Sequence, residues 1–148
     1  MIGLSYLEFS HLFSRKKGIF ALLSVIMEKI VNFLVVGLGG AVGSMLRYGV
    51  TLLGMTLHIS SNITTFTVNI LGSFLIGVLS GCSRDCLQLL LTVGLCGGFT
   101  TFSTFSMQNV RMIQDGKIGM AAVYAVSTVL VCIAMAWLGY RTANRFLC

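Results

Sequence analysis

A row of hydrogen-bond donors runs along one apolar segment of the sequence. Thr65, Asn69 and Ser73 recur every four residues, a spacing that places them on one face of an α-helix. The Asn69 amide offers two N–H donors, and each hydroxyl can turn its proton toward a ligand. Donors without a negative charge are what a pore requires if it passes an anion by hydrogen bonding. Interhelical hydrogen bonding is the alternative role, above all for Ser73.

A second row of the same spacing lies near the C-terminus, at Tyr124, Thr128 and Cys132. The hydroxyls of Tyr124 and Thr128 could extend the line of donors, whereas Cys132 stands where a hydroxyl residue would be more natural. Packing between helices accounts for this row equally well.

The densest cluster of unusual residues spans 94–106, GLCGGFTTFSTFS. Paired glycines followed by Thr100 and Thr101 weaken an α-helix, and a break at membrane depth is tolerated only beside protein or a water-filled cavity. A break exposes carbonyls that suit a cation and N–H groups that suit an anion. Phe102 and Phe105 follow on one helix face, and their positive ring edges can attract a small anion. From spacing alone, core packing is the simpler interpretation of this pair.

The composition requires a membrane around these residues. Of 148 residues, 56% are hydrophobic and 9% are charged, and the mean hydropathy is +0.95; a soluble domain this small needs more charge on its surface. The net charge of +6 comes from basic residues that flank apolar runs, which is typical of membrane proteins and not of nucleic-acid binding. Five cysteines and two histidines show no metal-ligand spacing. The sequence shows no pair of a nucleophile and a general base that would indicate an enzyme.

Four apolar stretches approach the roughly 20 residues that span a bilayer, and short linkers predict antiparallel neighbouring helices. They are Ile30–Leu46 (ending at Arg47-Tyr48), Thr64–Gly81, Cys86–Val110 and Ile118–Tyr140. The fold class is therefore an all-α membrane protein of four transmembrane helices with the third helix broken. Glycines four apart, at 39 and 43, 77 and 81, and 94 and 98, predict close approach between helices.

Residues 1–26 do not fit this pattern. Arg15-Lys16-Lys17 precedes an apolar run of nine residues, which is too short to span, and Glu28-Lys29 is a poor cleavage site for a signal peptide. We expect a nonessential extension over 1–26 and a transmembrane channel domain over 27–148. An interfacial helix is the alternative for the extension.

The basic residues show little preference for one side of the membrane. Counted from Met27, one side receives Lys29, Arg84, Arg141 and Arg145 and the other receives Arg47, Arg111 and Lys117, which is 4 against 3. Such a chain can insert both ways. The two halves of the sequence are not similar, so a two-fold axis requires two oppositely inserted copies, an antiparallel homodimer. Adding Arg15-Lys16-Lys17 makes the count 7 against 3.

Three blocks in order, residues 39–48 (GGAVGSMLRY), 64–74 (TTFTVNILGSF) and 97–106 (GGFTTFSTFS), resemble the CrcB/Fluc family of fluoride channels. The resemblance covers nearly everything from Met27 onward. It implies a dual-topology homodimer in the inner or plasma membrane, with pores that export fluoride passively and confer fluoride resistance. It also implies a structural sodium ion at the dimer centre.

The resemblance also implies roles for particular residues. Asn69, Phe102 and Phe105 are similar to the residues that line the fluoride path, with Ser103, Thr104 and Thr65 beside them. Arg47 is similar to an arginine that attracts anions, and Gly97 and Thr100 to residues whose carbonyls hold the sodium. Tyr124 and Thr128 match the polar face of the fourth helix more loosely. Gln108 departs from the family, which commonly has a glutamate there.

Two other functions compete with a fluoride channel. A small dual-topology exporter of the multidrug type shares the length and the four helices, but it needs a glutamate inside the membrane. A structural assembly subunit needs the glycine faces alone and leaves Asn69 and the Thr100-Thr101 pair unexplained.

Overall fold

The secondary-structure elements in the part of the chain that the structure describes are all helices. The computed structural model describes the backbone of residues 3–82 and 86–146, and the side chains of residues 19–20, 22–80 and 87–145. The elements are α1 (Gly3–Thr56), α2 (Ser61–Cys82), α3 (Cys86–Gln88), a π-helix (Leu89–Cys96), α4 (Gly97–Phe99), α5 (Phe102–Gln114) and α6 (Ile118–Phe146).

Four stretches are long and apolar enough to cross a membrane, which confirms the predicted all-α membrane fold. They are Leu22–Thr56, Ser61–Ser80, Leu89–Gln114 and Ile118–Arg145. The expected end of the first span at Arg47-Tyr48 is wrong, because α1 continues to Thr56. Arg47 therefore lies within α1. Its Nε donates to the Gly98 carbonyl oxygen at 3.3 Å, and this bond holds the charge of Arg47 against another helix.

The chain divides into two compact units, Met1–Leu34 and Val35–Cys148. Within the first unit, the described residues belong to α1, and apolar side chains such as Phe20 and Phe33 are exposed. The dispensability of 1–26 stays a prediction, and the side chains of Arg15-Lys16-Lys17 lie outside the described residues, as does Arg84 of the charge count. The second unit contains every residue of the candidate site.

Glycines let the helices of the second unit approach until their backbones touch. A Cβ on Gly39 would collide with the Leu90 carbonyl oxygen, and one on Gly98 with the Gly40 carbonyl oxygen. Gly77 faces the backbone of Ala136 in the same way, where α2 packs along α6. The prediction of close approach is confirmed at these positions, while the side chain of residue 81 lies outside those described. This packing seats the third span against α1 and α2.

The third span changes its backbone geometry twice. Leu89–Cys96 forms a π-helix, which the sequence did not predict. Thr100 (φ −74°, ψ 156°) and Thr101 (φ −146°, ψ 100°) are then extended and separate α4 from α5. Within the predicted interruption at Gly97–Thr101, Gly97 and Gly98 thus remain helical. Thr101 begins α5 by accepting a hydrogen bond from the Thr104 N–H on its Oγ1, as a threonine N-cap does.

Candidate functional site

Asn69 holds the break in the third span. The Thr101 N–H donates to Asn69 Oδ1 at 2.9 Å, and Asn69 Nδ2 donates to the Thr101 carbonyl oxygen at 3.3 Å. Both residues are buried, and an unpaired backbone group there would cost roughly 1–3 kcal/mol. The side chain of Asn69 therefore replaces the helical partners that Thr101 lacks, and one of its two N–H donors remains for another acceptor.

A cavity of about 320 Å³ lies on one side of this clamp. We call it the asparagine cavity. Its lining residues come from α2, the third span and α6, and are Asn69, Gly72, Ser73, Ile76, Cys96, Gly97, Thr100, Phe102, Phe105, Thr128, Val129 and Cys132. None of these side chains carries a formal charge. The cavity brings together residues of the two predicted donor rows with both phenylalanines.

Aromatic rings form one wall of the asparagine cavity and continue beyond it. The ring centroids of Phe102 and Phe105 are 5.5 Å apart, and those of Phe105 and Tyr124 are 5.4 Å apart, with tilted planes. Phe105 is buried, whereas 75% of Phe102 is exposed in the single chain. Tilted rings present edges to their neighbours, so this wall can offer positive ring edges to an anion.

A second cavity, of about 250 Å³, lies across Thr101 from the first. We call it the arginine cavity. Residues of α1, α2 and α5 line it, together with Ile59 and Thr101, and the set is Arg47, Tyr48, Thr51, Met55, Ile59, Ser61, Thr64, Thr65, Val68, Thr101 and Thr104. Arg47 is the one charged member of this lining. Its Nε is bonded to the Gly98 carbonyl oxygen, which leaves its terminal N–H groups for another acceptor.

The hydroxyl protons around the arginine cavity differ in their direction. Thr51 donates to the Arg47 carbonyl oxygen at 3.0 Å and Thr64 to the Ser60 carbonyl oxygen at 3.3 Å, so these protons return to their own helices. Thr101 donates to Thr104 Oγ1 at 2.7 Å, and this leaves the Thr104 proton for another acceptor.

Gln108 connects three helices from a buried position. The two N–H groups of its Nε2 are shared among three acceptors, Thr65 Oγ1 at 2.9 Å, Ser61 Oγ at 3.0 Å and the Ser61 carbonyl oxygen at 3.1 Å. Its Oε1 accepts from the Tyr124 hydroxyl at 2.8 Å. The sequence singled out Gln108 for its departure from the family pattern and did not indicate this network.

Seven of the nine residues predicted to line the pore or attract anions line one of the two cavities. Asn69, Phe102, Phe105 and Thr128 line the asparagine cavity, while Arg47, Thr65 and Thr104 line the arginine cavity. Tyr124 bonds to Gln108 and contacts Phe105. Ser103 is exposed and is not among the residues that line either cavity. Their roles in ion passage stay predictions.

Backbone carbonyls beside the break are the candidate ligands for a hard cation. In a continuous helix the Thr101 N–H would bond to the Gly97 carbonyl oxygen, but here it bonds to Asn69. The Thr104 N–H likewise bonds to Thr101 Oγ1 and not to the Thr100 carbonyl oxygen. Oxygen ligands of this kind suit a hard cation. Among the described residues, no group of three or more His, Cys, Asp or Glu could hold a metal ion.

Fold and site together define a class: a multi-pass α-helical membrane protein whose third span is interrupted between two small, donor-lined cavities, neither containing a carboxylate. Irregular backbone within a span is characteristic of membrane proteins that conduct or carry ions.

The comparisons with known proteins identify the family. The family model described as CrcB-like protein, Camphor Resistance (CrcB), matches residues 34–140. A protein of Methylobacillus flagellatus is 41% identical over 119 residues, covering 73% of this chain and 91% of the relative. A protein of Thermus thermophilus is 43% identical over 116 residues (74% and 93%), and one of Ruminiclostridium cellulolyticum is 41% identical over 125 residues (80% and 96%). All three relatives are named fluoride-specific ion channel FluC. The chain belongs to the CrcB family.

Proposed function

We propose that this chain is one protomer of a fluoride-selective channel that lets fluoride leave the cytoplasm down its electrochemical gradient. The observation that carries the proposal is the pair of cavities on either side of Asn69 and Thr101, lined by hydrogen-bond donors and without an acidic side chain. The family and the names of its relatives agree with it. Hydrogen fluoride crosses membranes as the neutral acid and dissociates inside, so a passive route for the anion is sufficient for protection.

Fluoride would first meet the arginine cavity. The terminal N–H groups of Arg47 attract the anion, and the hydroxyls of Thr65 and Thr104 replace part of its water shell. Since Arg47 is bonded to the Gly98 carbonyl oxygen at the break, its charge stays close to the point where the helix is interrupted.

The anion would then pass the clamp into the asparagine cavity. The remaining N–H of Asn69 donates to it, and the edges of Phe102 and Phe105 offer positive charge without water. Thr128 and Tyr124 extend the polar face on α6, and Ser103 lies one residue from Phe102. Chloride is excluded because a larger anion does not fit the small set of donors.

The functional unit of the proposal is an antiparallel homodimer. Two observations support it: the nearly balanced basic residues from Met27 onward, and Phe102, which is 75% exposed beside the break. In a dimer the second copy would cover this ring, so that the pore wall includes residues of both chains.

A structural sodium ion at the dimer centre is part of the proposal. Gly97 and Thr100 would hold it, since the N–H groups that would bond their carbonyl oxygens in a continuous helix bond instead to Asn69 and Thr101. A bound sodium would supply positive charge between the carbonyl oxygens of the two copies.

Exchange by a multidrug-type mechanism is less well supported. The acidic residues are Glu8, Glu28, Asp85 and Asp115. Of these, Glu28 and Asp115 have side chains that the structure describes, and neither lines a cavity of the site. A proton-coupled exporter needs a titratable group at its transport site.

Fluoride efflux from liposomes that contain the purified protein tests the proposed function. A fluoride electrode should record rapid release with the protein, and a chloride electrode should record release no faster than from protein-free liposomes. Equal release of both ions, or no release of fluoride, would overturn the proposal. Cross-linking of copies with opposite orientations tests the dimer separately.

A further inference from the structure

The partners of Gln108 assign the orientation of its amide. Of its partners, the Ser61 backbone carbonyl can only accept a hydrogen bond, so the nitrogen must face α2. The oxygen then faces the Tyr124 hydroxyl, which donates to it at 2.8 Å. Three acceptors on α2, which share the two N–H groups, and one donor on α6 hold this arrangement, and 6% of Gln108 is exposed.

This orientation changes what Thr65 does with its proton. A helical threonine commonly donates to the carbonyl four residues earlier, and the neighbours Thr64 and Thr67 do so, to Ser60 and Ile63. For Thr65 that carbonyl belongs to Ser61, and it accepts from Gln108 at 3.1 Å.

Gln108 also donates to Thr65 Oγ1 itself, at 2.9 Å. With one lone pair of the oxygen occupied by an N–H, the proton of Thr65 must point away from Gln108. Thr65 is buried and lines the arginine cavity, so the cavity is where this proton can find an acceptor. The Ser61 hydroxyl, 3.0 Å from the same nitrogen, is placed in the same way.

We propose that Gln108 is a positioning residue that turns the hydroxyl protons of Thr65 and Ser61 into the arginine cavity, where they donate to the anion that Arg47 attracts. The inference rests on the proposed function in taking that anion to be fluoride. Gln108 does not contact the anion in this arrangement; it acts through two hydroxyls.

A carboxylate at this position would reverse the effect. An ionised carboxylate accepts hydrogen bonds and donates none, so it would draw the proton of Thr65 toward itself. A protonated carboxyl keeps one donor and can substitute for the amide. The other groups around the position are Ser61 and Thr65 on α2, Tyr124 on α6, and Arg47 across the cavity. A glutamate here would therefore make anion binding depend on pH.

The test compares Gln108→Glu with Asn109→Asp. Asn109 is the adjacent amide of α5; it bonds to the Phe105 carbonyl oxygen and lines a different cavity, so it controls for a carboxylate in this helix. Fluoride efflux from liposomes is measured from about pH 5 to about pH 9, a range that brackets ordinary and buried carboxyls, and is expressed relative to the unsubstituted protein at each pH.

We expect the relative efflux of Gln108→Glu to fall by about fivefold from the acidic to the alkaline end, the size of one net hydrogen bond. Asn109→Asp should show no such fall. In a Thr65→Val background the fall should shrink, because Gln108 acts through that hydroxyl. A constant ratio for Gln108→Glu, the same fall in Asn109→Asp, or an undiminished fall without Thr65 would overturn the proposal.

A second measurement separates this proposal from the channel function. Sodium fluoride should raise the melting temperature of the detergent-solubilised protein more than sodium chloride does, and Gln108→Glu should lose that difference at alkaline pH only. If the protein shows this pattern but does not conduct fluoride, the channel function fails and the role of Gln108 stands. If it conducts fluoride and neither measurement depends on pH in Gln108→Glu, the role of Gln108 fails alone. A protein that neither conducts nor binds fluoride overturns both.

Discussion

The two cavities on either side of Thr101 differ in where their donor protons go. In the asparagine cavity, Asn69 uses one of its two N–H donors on the Thr101 backbone, and Thr128 donates to the Tyr124 carbonyl oxygen at 2.7 Å. In the arginine cavity, Arg47 and Thr104 keep donors for a ligand. The residue type therefore does not decide whether a polar side chain can bind an anion; the direction of its proton does.

The same difference separates the physical roles of the cavities. The arginine cavity has a positive charge and several hydroxyls, which suits capture of a hydrated anion. The asparagine cavity has aromatic edges and few free protons, which suits passage of an anion that has lost its water. Substitutions with matched controls test whether the two cavities differ in this way.

Asn69→Asp should have the largest effect. The carboxylate would repel an anion and would face the Thr101 carbonyl oxygen without a donor, so we expect fluoride efflux to fall by about 100-fold or more, as expected for one unpaired buried group plus charge repulsion. Asn62→Asp is the matched control, since Asn62 lies on the same helix, donates to Met112 Sδ and lines neither cavity. Efflux at the original rate in Asn69→Asp would remove the residue from the path.

Gly39→Ala should affect the framework around both cavities. The new methyl would meet the Leu90 carbonyl oxygen, and overpacking of this kind costs about 1–3 kcal/mol. Unfolding in a denaturing detergent measures the loss. Gly49→Ala is the control, because nothing lies within 4 Å of its Cβ position and alanine favours the helix. Equal stability of both variants would contradict the close packing of α1 against the third span.

Arg47→Gln should weaken capture without closing the path. We expect efflux at low fluoride concentration to fall by about tenfold, equivalent to ~1.4 kcal/mol of attraction, and to depend less on ionic strength than in the unsubstituted protein. Arg111→Gln removes an exposed charge from the end of α5 and should be nearly silent. An equal loss of fluoride efflux in both variants would show that the net charge of the protein, and not the position of Arg47 in the arginine cavity, attracts the anion.

Thr65→Val and Thr51→Val should show the smallest but most specific contrast. Both threonines line the arginine cavity, but Thr51 already donates to a backbone carbonyl. We therefore expect about a fivefold loss of fluoride efflux for Thr65→Val, the size of one net hydrogen bond, and little change for Thr51→Val. Equal losses would show that proton direction does not distinguish the two hydroxyls.

Much of this arrangement follows from local sequence patterns. Apolar runs of sufficient length predicted the four spans, Gly39 and Gly98 predicted the close backbones, and Thr100 and Thr101 predicted the place of the break. These features depend on the chemistry of adjacent or regularly spaced residues, which a single sequence displays directly.

What the sequence did not predict depends on contacts between distant residues. Asn69 was expected to serve an anion, yet both of its polar atoms bond to Thr101, 32 residues away. Gln108 meets Thr65 across 43 residues. Arg47 was expected to end the first helix, but its partner on Gly98 keeps it within the bundle. Periodicity in the sequence predicts which side chains share a helix face, but it does not predict which residues of another helix contact that face.

The π-helix at Leu89–Cys96 sets the rotation of everything that follows it in the third span. Each residue of an α-helix turns the chain by about 100°, so a wide turn that holds one more residue shifts the phase of the next segment by that angle. Without it, Gly98 would swing away from Gly40 and from the Arg47 side chain that bonds to its carbonyl oxygen. The π-helical turns of these eight residues thus determine which neighbouring helices the side chains of α4 and α5 face.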